Sequence, residues 1–376
     1  MKIMKCFLIS LMASVLFIPG VSQDVVPAAA SLKKTKVNNP GKHEASTRQE
    51  AKQSLKPGLT PKIIFDTDIA EDCDDVGAMA VLHALADKGE LEILGMMVSM
   101  PVKFGAPALD AINTFYNRPN ILVGTLKNSQ DSLGAKGLTV YNKDLALRFP
   151  NDLKDSSNAP NSVTLYRQLL EREKDTSVVI LTVGPLTNLY HLMQSQPDAI
   201  SSLDGMALIR KKVKRLIIAG GKLPEGSSYN FHLAPDKSEY VINHWPIELW
   251  FVPNELGDNV FTGTEMMANT TRENPIHEAY RLYSLAHPGW QFRPSWDQMA
   301  VLVAARGGAG LFKMDTTGSV TASKAFIKWN PGLSKNHRWY QNNSSIEQRR
   351  KVVEELMMEP PRKQKAESKK RKAGIR

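Results

Sequence analysis

The sequence predicts an α/β fold, a mostly parallel open sheet with helices on both faces. Two observations predict it. Short apolar runs alternate with helically spaced ones from about residue 61 to residue 252, and an acid-rich loop directly follows the first of those runs. Strands alternating with helices imply crossover connections, hence parallel pairing, and in such sheets ligands bind beyond the carboxyl ends of the strands.

The elements follow in order. Lys62-Ile63-Ile64-Phe65-Asp66 is a short apolar run of the kind that forms a buried strand, and Val76, Met79, Ala80, Leu82 and Leu85 then recur at helical spacing through Ala86. Leu91–Ser99 reads as a strand and Ala106–Tyr116 as a helix; Ile121–Gly124 as a strand and Val163–Glu173 as a helix; Ser177–Val183 as a strand and Leu186–Met193 as a helix. Lys214–Ala219 and Ile247–Val252 add strands, with a helix at Lys237–His244 between them. No internal repeat and no second domain is visible before the charged C-terminus.

With 376 residues and 42% hydrophobic content, the chain can build one large core, which excludes collagen-like or wholly disordered classes. Met1-Lys2-Ile3-Met4-Lys5, an apolar run from Cys6 to Phe17, and Ile18-Pro19-Gly20-Val21-Ser22-Gln23 have the three regions of a signal peptide. Residues 1–23 are therefore expected to direct export to the periplasm or the extracellular space. Cleavage is expected near residue 23 or in Ala28-Ala29-Ala30. The alternative, an uncleaved anchor, is weakened by an apolar run short of the roughly 20 residues that span a bilayer. Loss of Cys6 with the signal leaves Cys73 alone, so no internal disulfide is expected.

The net charge of +10 invites a nucleic-acid reading, but its placement argues otherwise. Segment 362–376 has eight Lys or Arg against one Glu, and segment 24–60 has seven against three acids. With Lys2 and Lys5 these ends hold more positive charge than the whole chain, so residues 61–361 are mildly acidic. The ends read as a disordered linker (24–60) and a solvated basic tail, or else as electrostatic handles for an anionic surface. No aromatic residues interleave Lys369-Lys370-Arg371-Lys372, so no specific nucleic-acid partner is expected.

The chemistry is concentrated in Asp66-Thr67-Asp68-Ile69-Ala70-Glu71-Asp72-Cys73-Asp74-Asp75, five aspartates and a glutamate in ten residues. Carboxylates so crowded repel one another, and the usual relief is a hard cation with oxygen ligands, Ca²⁺ or Mg²⁺. A solvated loop capping the next helix explains Asp74 and Asp75 but leaves Asp66 and Asp68 unexplained. An EF-hand register fails because its sixth and twelfth positions would be Glu71 and Gly77. A phosphatase with an aspartyl nucleophile does not explain Asp74-Asp75.

Asp66-Thr67-Asp68 through Asp74-Asp75-Val76-Gly77-Ala78 resembles the N-terminal signature of the inosine–uridine nucleoside hydrolase family, in its variant with a longer Asp-rich loop. Other pieces follow in order: Asp110 through Pro119, Val183-Gly184-Pro185-Leu186-Thr187-Asn188, Ala219-Gly220-Gly221, Tyr229-Asn230-Phe231, and Ser295-Trp296-Asp297-Gln298-Met299-Ala300. The resemblance covers about residues 61–310. It implies a nucleoside hydrolase-like (Rossmann-like) fold and a Ca²⁺ ion held by Asp68, Asp75, Asp297 and the backbone carbonyl of Val183. It further implies Asp68 as general base, Asp74 and Asn230 on sugar hydroxyls, and Asp66 and Asp72 as acceptors that orient the loop. Glu255, in the loop after the Ile247 strand, is placed to reach substrate. Asn188 reads as a turn or capping residue.

The pattern also breaks. No asparagine follows the second strand in Ser99-Met100-Pro101-Val102-Lys103-Phe104, Ser228 stands where a glutamate is usual, and Trp296 stands where a histidine often precedes the returning aspartate. Leaving-group activation is thereby unassigned. His287 reads first as a turn residue, and Trp290 and Trp296 as core aromatics or pocket walls. Three readings follow: hydrolysis of purine or pyrimidine nucleosides, as in salvage; a calcium-dependent sugar- or nucleoside-binding protein without turnover; or hydrolysis of another glycoside. The expected partner is a small glycoside, and oligomerisation is left open.

Overall fold

The computed structural model describes residues 60–70, 72–127, 139–289, 292–308, 310–333 and 336–362. The expected signal segment, the linker to residue 59, the tail from residue 363, Cys6, Glu71 and Trp290 lie outside the described residues. Among the described residues, no helix is long and apolar enough to cross a membrane.

In chain order the strands are β1 (Lys62–Thr67), β2 (Glu92–Val98), β3 (Val123–Thr125), β4 (Val178–Thr182), β5 (Val213–Ala219), β6 (Glu225–Ser227) and β7 (Leu249–Val252). There follow β8 (Phe261–Thr262), β9 (Arg293–Pro294), β10 (Phe312–Asp315), β11 (Gly318–Ser323), β12 (Phe326–Pro331) and β13 (His337–Asn342). One eight-stranded sheet runs in the order β10-β13-β7-β5-β4-β1-β2-β3. Its pairings are parallel except that of β10 with β13. The sheet is open, as expected.

Both faces of this sheet are covered, which explains why its strands read as apolar runs rather than alternations. Ile63 and Phe65 of β1 join one core, while Ile64 joins the other. Val179 and Leu181 of β4, and Trp250 and Val252 of β7, face the first core; Val178, Ile180, Leu249 and Phe251 face the second. Each such fully buried side chain contributes about 1.5–3 kcal/mol from surface removed from water.

The chain lays out β1, β2 and β3 toward one edge, then returns to place β4 on the other side of β1. This reversal opens a crevice at the carboxyl ends of β1 and β4. Into it point the loop after β1 and the N-termini of two packed helices, Asp74–Asp87 and Trp296–Arg306. The first is buried from Asp74 to Leu85, so it presents no polar stripe.

The expected strands and helices up to residue 252 lie within two or three residues of their observed ends. Beyond them the structure adds what the reading omitted. Helices Asn142–Arg148, Gly205–Lys212, Pro275–Ala286 and Ile346–Met357 appear, β10 and β13 extend the main sheet, and β11-β12-β6 form a small antiparallel sheet. Val320, Ala322, Ile327 and Trp329 are buried on one face of that small sheet and alternate with polar residues. Such one-sided strands carry half the apolar signal of the central ones.

Candidate active site

A cavity of about 350 Å³ opens at the carboxyl ends of β1, β4, β5 and β7. Asp68, Asp72, Asp74, Asp75, Val183, Asn230 and Asp297 all line it. One carboxylate oxygen each from Asp74, Asp75 and Asp297 lies within 4.8 Å of the other two, and all three residues are buried. Ca²⁺ binds oxygens at about 2.4 Å, so two ligands on opposite sides of one ion stand roughly 4.8 Å apart, and the trio fits a hard cation.

The local fold explains the convergence. Asp74 and Asp75 occupy the first turn of one helix and Asp297 the first turn of the other, where the helix dipole favours negative charge. Even so, burial first and mutual repulsion second push the carboxyls of Asp68, Asp74, Asp75 and Asp297 well above the usual range. Half-buried Asp68 stands beside the trio rather than within it. The structure thus places Asp74, expected on the sugar, among the cation-competent oxygens.

Close packing of backbone holds these groups. A Cβ on Gly184 would sit 2.9 Å from both the amide nitrogen and the Cβ of Asp68, so only glycine lets the β4 tip approach β1 this closely. A Cβ on Gly257 would lie 2.7 Å from the Cα of Trp296 and 2.8 Å from the Ser295 carbonyl, displacing the segment that carries Asp297.

The supporting contacts are specific. Thr67 Oγ1 donates a hydrogen bond to Asp75. Fully buried Asp66 accepts from Tyr166 Oη at 2.8 Å and from Asn188 Nδ2 at 3.1 Å, and Ser162 Oγ fixes Asn188 at 2.7 Å. Burial outweighs these donors and pushes the Asp66 carboxyl up to about 7. Asp66 is thus anchored at the end of β1 by side chains from two other segments. Asn188 is a buried partner of Asp66 rather than a turn or cap, and Tyr166 carried no sequence signal of this role.

Asp72, expected as a loop-orienting acceptor, also lines the cavity. Arg293 pairs with it through both Nε, at 2.6 Å, and Nη2. Asp72 Oδ1 also accepts from Cys73 N at 2.7 Å, and Tyr141 Oη donates to the Asp72 carbonyl. Asn230 Nδ2 donates to the Val183 carbonyl at 2.6 Å, joining two predicted site residues.

Glu255 stands off the wall, and its neighbour Asn254 lines the cavity instead. One Glu255 carboxylate oxygen is buried without a hydrogen-bond partner among the described residues, and burial raises its pKa. Trp296, a candidate pocket wall from the sequence, is joined by Tyr283 and Arg293, which carry no local sequence signal. Tyr283, His287, Arg293 and Trp296 face the carboxylates, and Trp296 Nε1 donates to Asp258 at 2.8 Å. Met100 and Val102 line the cavity in the segment after β2, which has no asparagine.

An α/β sheet whose strand tips bring carboxylates for a cation into a pocket beside aromatic rings suits an enzyme that cleaves small polar molecules carrying a flat group. The chain belongs to the inosine-uridine preferring nucleoside hydrolase family, whose sequence model matches residues 63–355. It is a nucleoside hydrolase-like N-glycosyl hydrolase. A plant nucleoside hydrolase, PpNRh1, matches with a TM-score of 0.59 at 16% identity, over 80% of this chain and 100% of that one. A purine-preferring ribonucleoside hydrolase from Gardnerella vaginalis matches with 0.59 at 13%, over 79% and 99%. An inosine-uridine preferring nucleoside hydrolase from Bacillus anthracis matches with 0.56 at 15%, over 79% and 99%. These likenesses establish the fold. No curated protein matches the sequence.

Proposed function

We propose that this chain hydrolyses the N-glycosidic bond of ribonucleosides with water activated at a calcium ion. The observation that carries the reading is the meeting of Asp74, Asp75 and Asp297 in the strand-tip cavity. Asp75 and Asp297 are the core of the proposed ligand set, with Asp74, Asp68 and the Val183 carbonyl beside them. When bound, Ca²⁺ supplies positive charge that neutralises the cluster, grips vicinal hydroxyls and eases deprotonation of a water.

The residues do the rest. Asp68 accepts the proton from the attacking water, whose oxygen bonds to the anomeric carbon as the bond from that carbon to the base nitrogen breaks. The electron pair of the broken bond leaves with the base. Asn230 and Asp74 hold the sugar hydroxyls while the ribosyl group becomes oxocarbenium-like. The aromatic wall of Tyr283 and Trp296 receives the base. Met100, Val102 and Ser228 replace polar family contacts, which favours as second reading a calcium-dependent binder without turnover.

Ribose release from a panel of purine and pyrimidine nucleosides, followed with the full chain in Ca²⁺, decides between them. Asp68→Asn should cut kcat about 10²–10⁴-fold. Unchanged release in that variant removes Asp68 as base, and binding without release establishes the second reading.

A further inference from the structure

The reaction proposed above leaves the departing base with an electron pair and no assigned proton donor. The nearest candidates have partners of their own. Trp296, at the position where the family often has histidine, spends its Nε1–H on Asp258 at 2.8 Å. His287 is tied to backbone through Nδ1, 3.1 Å from the Tyr283 carbonyl.

Arg293 is the one arginine or lysine among the described residues that line the cavity. Its guanidinium lies 4.8 Å from the Trp296 ring centre and 5.5 Å from that of Tyr283, within the wall assigned to the base. Asp72 holds it through Nε and Nη2. Its place is set by β9, which pairs with β8 through Thr262 and Arg293, and by Thr262 Oγ1 to Ser295 Oγ at 2.6 Å. A cation is therefore built rigidly into the base-binding side of the pocket, three residues before Trp296.

We propose that Arg293 is a catalytic residue that stabilises the departing base as an anion, replacing protonation by histidine with fixed positive charge. The proposal rests on the N-ribosyl hydrolase reading. In the step, the C–N bond breaks, its electron pair settles on the base, water closes the anomeric carbon, and Asp68 takes the water's proton. Arg293 stays protonated throughout, and the released base collects its proton from solvent. Preorganised charge of this kind in a shielded site is typically worth about 10²–10³-fold in kcat.

The bland alternative is that Arg293 only pins the Asp-rich loop through Asp72. Substrates that differ in their need for leaving-group help separate the two. The panel is inosine, uridine and 4-nitrophenyl β-D-ribofuranoside, whose nitrophenolate departs unaided, each measured with the full chain in Ca²⁺. Arg293→Gln should lower kcat/KM for the nucleosides at least about 100-fold and for the aryl riboside less than about tenfold. Asp72→Asn, which breaks the pair but keeps the guanidinium, should lower all three substrates by similar factors. Should Arg293→Gln melt below the assay temperature, Arg293→Met removes the charge at similar side-chain length and should show the same selective loss on the nucleosides. Equal losses on both substrate types in either arginine variant overturn the proposal. Failure of the unaltered protein to cleave any of the three overturns the hydrolase reading itself, and the proposal with it.

Discussion

Two buried carboxylate sites in this molecule are solved in opposite ways. Glu278, on helix Pro275–Ala286, is met by Arg281 at 2.7 Å, Arg148 at 2.8 Å and Arg272 at 3.0 Å. Hydrogen bonds from Arg281 outweigh burial and pull its carboxyl down to about 2. In the strand-tip cavity Asp68, Asp72, Asp74, Asp75 and Asp297 share one arginine among the described residues, Arg293. There burial and repulsion win, and the carboxyls of Asp68, Asp74, Asp75 and Asp297 are pushed up. Three arginines on one glutamate leave nothing for a ligand to compensate. Several aspartates with one arginine among the described residues leave a deficit of positive charge that a bound cation can fill.

The largest expected effect breaks the deficient site. Asp297→Asn should lower kcat at least about a thousandfold and remove the thermal shift on adding Ca²⁺, which at a hundred times Kd is about 2.7 kcal/mol. A variant that keeps both its activity and its shift would place the cation elsewhere. Next comes the compensated site. Glu278→Ala leaves three guanidinium groups facing one another and should cost about 3 kcal/mol in urea unfolding, less than a fully enclosed pair because Arg272 and Arg281 reach solvent. A cost under 1 kcal/mol would show the cluster to be surface decoration.

Asn188→Ala tests the support behind β1. Losing its bond to Asp66 should weaken Ca²⁺ binding or activity about 10–100-fold, with Asn188→Asp worse because it adds charge to a buried carboxylate. Equal behaviour of the two variants would deny Asn188 a role at Asp66.

The smallest effect is a difference in pH slope in cation-free protein. Glu278 is depressed when folded, so its stabilisation is complete above about pH 4.5 and is lost as pH falls toward 2. Asp66 is raised when folded, so its stabilisation is complete below about pH 4 and is lost as pH rises through 7. Each contributes at most about 1.4 kcal/mol per pH unit within its window. Glu278→Gln should flatten only the acid limb of urea stability against pH, and Asp66→Asn only the limb between pH 4 and 7. One variant flattening both limbs would contradict the assignment.

The central strands and the helices between them were legible because burial on two faces, or on one helix face, writes itself into neighbouring residues. Asp68, Asp74 and Asp75 were legible as a group because five aspartates in ten residues after an apolar run have few other uses. Glu255 was misplaced by one position relative to Asn254. At a strand end a single residue decides which side chain faces a cavity, and charge alone does not reveal the turn. Nothing local distinguishes Arg293 from any other arginine, because its partner Asp72 lies far away in the sequence.

Local patterning alone therefore determined the α/β class, the parallel order of its central elements and the acid-rich loop at a strand tip. Tertiary structure decided that Asp297 meets Asp74 and Asp75, that Arg293 pairs with Asp72, and that Asn188 and Tyr166 hold Asp66. Backbone period and side-chain polarity act over a few residues. Compensation between charges more than 200 positions apart exists only after packing has brought them together.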